Sequence, residues 1–114
     1  MRISAKIWHE VFVRDNGYCQ YCGEDLLISR ATFAGAQVDH VCAVANDGQD
    51  VLENLKLACP TCNGTLSRYN HLTTFEARKA HIEQKLDIHN RNYQEWVSKL
   101  RTYPTSACET TVQL

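Results

Sequence analysis

Two Cys-x-x-Cys pairs, Cys19 with Cys22 and Cys59 with Cys62, constrain this 114-residue chain more than any other feature of its sequence. Two thiolates separated by two residues can both turn toward one cation, and two such pairs supply the four ligands of tetrahedral zinc. Free or redox-active thiols would need this pairing to arise by accident. The sequence therefore predicts a structural zinc site, and a closed four-sulfur shell leaves this zinc no catalytic position.

The segments that flank the cysteine pairs predict a small α+β domain. Residues 4–15 have helical spacing of apolar side chains, with Ser4 as a suitable N-cap and Asn16-Gly17 as a left-handed stop. Pro60 suits the first turn of a short helix that we expect to run to about Tyr69. One cysteine pair thus follows a helix and the other opens one, which is the layout of a treble-clef zinc finger.

The remaining segments predict a hairpin and a helical extension. Residues 37–45 are rich in valine and small residues, and we expect two short strands there, forming a hairpin that encloses Asp39 and His40. Thr73 to Glu76 resembles a capping box with Thr73 as the cap, and the helical pattern after it fits one long helix or two shorter ones. We expect a zinc-stapled core at 1–72, a helical extension of the same domain at 73–104, and a flexible tail at 105–114.

Length, hydropathy and charge exclude some classes of protein. The length suits one domain, and no apolar run approaches the roughly 20 residues of a membrane span. The N-terminal residues lack the apolar core of a secretion signal, so we expect a cytoplasmic protein. The net charge of −1 indicates no partner, but the charge is −4 over residues 1–53 and +4 over residues 54–101. This asymmetry favours an anionic partner for the second half, although ordinary solvated helices often carry such an excess.

Polar residues beside and between the cysteine pairs form an ordered set: the Asp39-His40 dyad, Asn54 before Leu55, and Asn63 directly after Cys62. Each of these is ordinary in isolation. Together with residues 14–23 and 59–63, they resemble the HNH endonuclease family in its zinc-bearing ββα-metal form, over about residues 8–69. The resemblance implies metal-dependent hydrolysis of phosphodiester bonds in DNA.

The resemblance also implies a role for each polar residue. His40 would be the general base, since imidazole titrates near neutral pH. Asp39 and Asn63 would hold a catalytic divalent cation, and Asn54 would position the strand that carries His40. Because Asp39 and His40 are strand neighbours, they point oppositely unless the strand bends, or else metal and water lie on different sides of the phosphate. Oxygen ligands at Asp39 and Asn63, where relatives carry histidine, favour Mg²⁺ or Mn²⁺ over Zn²⁺ or Ni²⁺.

Duplex or structured DNA is the partner that the resemblance implies, approached through its phosphates and with the hairpin and helix in the minor groove. We expect no membrane partner, and a homodimer or a second protein could supply sequence specificity. The alternative is a non-catalytic zinc-finger module that binds nucleic acid or a protein. Asp39, His40 and Asn63 distinguish the two, because a pure binding module has no reason to keep all three.

Overall fold

The computed structural model describes residues 3–102, which form six regular elements. In chain order these are α1 (Ala5–Arg14), α2 (Arg30–Ala34), β1 (Gln37–His40), β2 (Leu55–Ala58), α3 (Pro60–Leu66) and α4 (Phe75–Arg101). The two strands pair as one antiparallel sheet, which confirms the predicted small α+β domain. The chain divides into two compact units, Met1–Gln84 and Lys85–Leu114, and the division falls within α4. The predicted domain boundaries stay a prediction, and the predicted tail at 105–114 lies outside the described residues.

Helix α1 begins and ends where the sequence predicts. The Ser4 hydroxyl accepts a hydrogen bond from the Ile7 backbone N–H at 3.2 Å, which caps the first turn. Asn16 and Gly17 follow with positive φ angles of 55° and 70°, which end the helix. A Cβ atom on Gly17 would lie 2.6 Å from the Leu27 side chain, so this position requires glycine for space as well as for conformation.

The strand pairing differs from the predicted hairpin. Strand β1 lies within residues 37–45 as expected, but its partner is β2, with Asp39 opposite Lys56 and His40 opposite Leu55. The prediction of two strands within residues 37–45 was wrong. The ladder ends after His40 because the Cys42 backbone bonds the Asn54 side chain instead of a strand. Residues 41–54 therefore form a long folded loop that contains 3₁₀ turns at Val44–Asn46 and Leu52–Asn54.

The hydrophobic core of the first unit draws on α1, β2, α3 and the early part of α4. Its fully buried side chains include Val11, Leu26, Leu55, Leu57 and Leu66. The buried cysteines Cys19, Cys59 and Cys62 belong to the same cluster. Burial of each large aliphatic side chain contributes about 1.5–3 kcal/mol relative to exposure, so this small core needs the support of other interactions.

Three helices differ from the sequence prediction in their details. Helix α3 ends at Leu66 and not at about Tyr69. Helix α2 was not predicted, although Ser29 and Thr32 form a reciprocal capping box at its start. Helix α4 is capped by Thr74, whose hydroxyl accepts from the Ala77 N–H at 3.2 Å, so the predicted cap at Thr73 was wrong by one residue. Helix α4 is one continuous helix. Among residues 3–102, no helix combines the length and apolarity needed to cross a membrane.

Arg14 and Asp15 form a charged clamp that joins the end of α1 to β2. The Asp15 carboxylate accepts from the buried Leu57 N–H at 2.8 Å and from Arg14 Nε at 2.8 Å. Arg14 also donates to the Leu52 carbonyl at 2.6 Å and to the Leu55 carbonyl. The hydrogen bond to Asp15 raises the pKa of the Arg14 guanidinium, so Arg14 stays charged.

We expect Asp15→Ala to lower the free energy of unfolding by about 1–3 kcal/mol, because it leaves the buried Leu57 N–H without its acceptor. Urea denaturation of the zinc-loaded protein measures the loss. Glu83→Ala, an exposed carboxylate on α4, is the matched control and should change stability by less than about 0.5 kcal/mol. An Asp15→Ala protein as stable as the control would show that the clamp does not support the fold.

Candidate functional site

Four cysteine side chains converge on one point in the first unit. The sulfur atoms of Cys19, Cys22, Cys59 and Cys62 all lie within 4.8 Å of one another, and the Cys22 and Cys59 sulfurs are 3.7 Å apart. Zinc–sulfur bonds of about 2.3 Å in a tetrahedron place the sulfurs about 3.8 Å apart. The cluster can therefore hold a zinc ion with all four predicted ligands.

The local backbone prepares these sulfurs to bind a cation. The N–H groups of Cys22 and Cys62 point at the sulfurs of Cys19 and Cys59, at 3.5 and 3.3 Å. Hydrogen bonds from the other three thiols, Cys22 first, lower the pKa of Cys19, and the hydrogen bond to Cys19 raises the pKa of Cys62. A bound zinc ion lets all four cysteines become thiolates.

Strand β1 places Asp39 in the interior. The Asp39 carboxylate is 4% exposed and accepts from Arg78 through both oxygens, at 3.0 and 2.7 Å. One of these oxygens also accepts from the Tyr21 hydroxyl at 2.5 Å. Burial, together with the negative charge of Asp39, raises the pKa of the Tyr21 hydroxyl, so Tyr21 remains a donor. All three side chains are buried, and their polar groups satisfy one another.

Arg78 completes its hydrogen bonds on the backbone that precedes α4. The guanidinium is 2% exposed and donates to the carbonyls of Tyr69 and Leu72, at 3.3 and 2.9 Å. Burial lowers the pKa of Arg78, but its hydrogen bonds to Asp39 and the charge of that carboxylate outweigh this effect and raise it. Arg78 therefore stays charged and joins the start of α4 to β1. Sequence analysis missed this partner, because no local pattern links positions 39 and 78.

Of the two predicted cation ligands, Asp39 is already engaged by the Arg78 guanidinium in this arrangement. Both carboxylate oxygens of Asp39 already accept hydrogen bonds, so a cation could bind there only after Arg78 moved away. Asn63 is half-buried in the first turn of α3. The role of these two residues as ligands remains a prediction.

His40 and Asp39 lie on opposite sides of β1, as strand geometry predicts. The His40 ring is half-buried, and its Nε2 atom lies 2.6 Å from a carboxylate oxygen of Asp50. Asp50 belongs to the long loop after β1. The sequence did not predict this contact, because Asp50 lies ten positions beyond His40 along an irregular segment.

Asn54 holds that loop in place. Its side-chain oxygen accepts from the Cys42 N–H at 2.7 Å, and its amide nitrogen donates to the carbonyls of Cys42 and Gln49, both at 3.0 Å. Its backbone carbonyl also accepts from the Val41 N–H at 2.9 Å. Through these contacts Asn54 joins the two ends of the loop, which is what a positioning residue would do. The catalytic importance of Asn54 remains a prediction.

Comparison with known families identifies the central segment. Residues 19–68 match the HNH endonuclease family. The match confirms the resemblance predicted from the sequence, and this HNH segment contains both cysteine pairs, β1, β2 and α3. Arg78 lies outside it. Comparisons with curated proteins and with solved structures gave no match.

We expect Cys59→Ser to lose both zinc and the folded state, because the remaining thiols cannot close the metal shell and zinc contributes several kcal/mol to folding. Zinc content and circular dichroism of the purified protein are the measurements. Cys42→Ser is the control, since Cys42 lies outside the cluster. A well-folded, zinc-free Cys59→Ser protein would rule out a structural role for zinc.

We expect Arg78→Met to lower the free energy of unfolding by about 3–5 kcal/mol, because it leaves the buried Asp39 charge without its partner. Adding Asp39→Asn to this variant should recover part of the loss. Urea denaturation measures both, and Arg68→Met, at an exposed arginine, is the control. A loss no larger than that of the control would mean that the Asp39–Arg78 ion pair does not support the fold.

Proposed function

We propose that this protein is a metal-dependent DNA endonuclease in which His40 is the general base for hydrolysis of phosphodiester bonds. The observation that carries the proposal is the position of His40 within the HNH segment, half-buried at the end of β1 and hydrogen-bonded on one ring nitrogen. An imidazole bonded through one ring nitrogen can take a proton from water on the other. The zinc cluster would stabilise the segment and would take no part in the reaction.

The proposed substrate is duplex or structured DNA. HNH endonucleases are the family that the segment matches, and the positive charge of the chain is concentrated after residue 53. Arg68 is exposed two residues beyond the end of α3 and is a candidate for a phosphate contact. Contacts of this kind make binding weaker as the salt concentration rises.

The proposal includes a second metal besides zinc. A divalent cation such as Mg²⁺ or Mn²⁺ would stabilise the charge that develops on the phosphate oxygens. Asp39 and Asn63 are its proposed ligands, and binding at Asp39 would require Arg78 to exchange for the cation. The support for hydrolysis therefore comes from His40 and the HNH match, and the cation must be tested directly.

Nicking of a supercoiled plasmid tests the proposed function. Zinc-loaded protein, desalted to remove loosely bound ions, is assayed with added Mg²⁺, with added Mn²⁺ and with neither. Omission of the cation is better than a chelator, which would also remove the structural zinc. We expect cleavage only with the added cation, and Asn63→His should shift the preference from Mg²⁺ toward Mn²⁺. An absence of cleavage under every condition would overturn the proposal.

The alternative is a non-catalytic zinc module that binds nucleic acid or a protein. The observation that favours it is the buried Asp39–Arg78 ion pair, which occupies the carboxylate that a catalytic cation would need. Binding of DNA without cleavage in Mg²⁺ or Mn²⁺ would support this alternative.

We expect His40→Ala to reduce the rate of cleavage by about 10²–10⁴-fold, the usual effect of removing a general base. Zinc content, circular dichroism and DNA affinity should match those of the wild type, because His40 belongs neither to the metal cluster nor to the core. His89→Ala, at an exposed histidine on α4, is the control. Cleavage by His40→Ala at the wild-type rate would remove His40 from the mechanism.

A further inference from the structure

We propose that Asp50 is a positioning residue that fixes the tautomer and the orientation of His40, so that Nδ1 is the atom that accepts the proton. The proposal rests on the proposed function, because it names the residue that prepares His40 for that reaction. Asp50 acts through His40 and has no contact with the DNA in this role. Three features of the structure support the proposal: the His40–Asp50 contact, the second ring nitrogen of His40, which makes no hydrogen bond among the described residues, and the contacts that hold the loop around Asp50.

The contact favours one tautomer of the neutral His40 ring. His40 Nε2 and Asp50 Oδ1 are 2.6 Å apart, and the two side chains are 18% and 25% exposed. An ionised carboxylate can only accept a hydrogen bond, so we assign the proton of the neutral ring to Nε2. Within residues 3–102, no other hydrogen bond engages the His40 ring. In the neutral ring, Nδ1 therefore keeps a lone pair that none of these hydrogen bonds occupies.

Two contacts close to Asp50 in the chain hold the loop that carries it. The Asn54 amide donates to the carbonyl of Gln49, the residue directly before Asp50, at 3.0 Å. At Gly48 the chain approaches the Cys42 carbonyl so closely that a Cβ atom would lie 1.8 Å from its oxygen. The Asn54 side chain thus holds the backbone next to Asp50, and Asp50 in turn contacts the His40 ring.

The arrangement gives Asp50 a defined effect on the proton transfer. One O–H bond of water breaks, its proton goes to Nδ1, and the water oxygen forms a bond to phosphorus. The bond from phosphorus to the leaving oxygen breaks, and that oxygen keeps the electron pair and takes a proton from solvent. His40 is then an imidazolium whose Nε2–H faces the negative charge of Asp50, and this charge stabilises it.

Asp50→Asn tests the proposal in the zinc-loaded full-length protein. The amide can either accept from Nε2 or donate to it, so the preference for one tautomer is weakened and the negative charge is lost. We expect the cleavage rate at saturating plasmid to fall by roughly 10- to 100-fold, the range seen when a partner that orients a metal-binding histidine is removed. DNA affinity and zinc content should not change. Asp47→Asn, which removes the same charge from an exposed position in the same loop, should cleave at the wild-type rate.

A second set of variants tests whether Asp50 acts through the His40 ring, as a cation ligand or through the charge of the loop. In the His40→Ala background, Asp50→Asn should cause no further loss, because its effect passes through the ring. An equal further loss in that background would overturn the proposal, and so would a deficit that excess Mg²⁺ removes, since that result would make Asp50 a cation ligand. Equal losses for Asp50→Asn and Asp47→Asn would show a general effect of loop charge and would also overturn it.

A spectroscopic measurement tests the contact independently of cleavage. The ¹⁵N chemical shifts of a neutral imidazole distinguish the Nε2–H from the Nδ1–H tautomer, and comparison with His40→Gln identifies the His40 signals. We expect the Nε2–H tautomer in the wild type and in Asp47→Asn, and a mixture in Asp50→Asn. A wild-type Nδ1–H tautomer would overturn the proposal even if the protein cleaves DNA. The expected tautomer in a wild type that does not cleave would instead overturn the proposed function, and with it the catalytic role of Asp50.

Discussion

The four-cysteine cluster is the interaction on which the rest of the first unit depends. Its sulfurs come from the turn after α1 and from the junction of β2 with α3, so one bound zinc ion would join three elements at a single point. Cys59 also caps α3 by accepting from the Cys62 N–H, which combines helix capping with metal binding in one residue. A chain of this length buries a modest share of its surface, so its hydrophobic core contributes little folding free energy. Binding of a structural metal would add to that free energy.

A second constraint is the Asp39–Arg78 ion pair, which is nearly excluded from water. A buried ion pair contributes little net stability, because desolvation offsets most of the attraction, but it strongly penalises any arrangement that separates its members. It fixes the start of α4 against β1. It also separates the roles of the two neighbours: Asp39 is held in the interior by the ion pair, whereas His40 is partly exposed to solvent.

Much of the fold could be predicted, because its signals are local. The two cysteine spacings, the Ser4 cap and the Asn16-Gly17 stop, and Pro60 at the start of α3 each depend on neighbouring residues. The order of motifs was sufficient to recognise the HNH segment. The position of β2 was missed, because the apolar, valine-rich run after His40 resembles a strand, whereas Asn54 and Gly48 hold it as a loop.

By itself, the sequence determined the four-cysteine cluster, both ends of α1, the start of α3, and the opposite orientation of Asp39 and His40. These follow from spacing along the chain and from the alternation of side chains in a strand. Only the tertiary structure decided what each member of the dyad contacts: Arg78 for Asp39, and Asp50 for His40. Arg78 approaches Asp39 from 39 positions away in the chain. The sequence around a carboxylate does not show whether its partner is a guanidinium, an imidazole or a cation. The partner is decided by the tertiary packing.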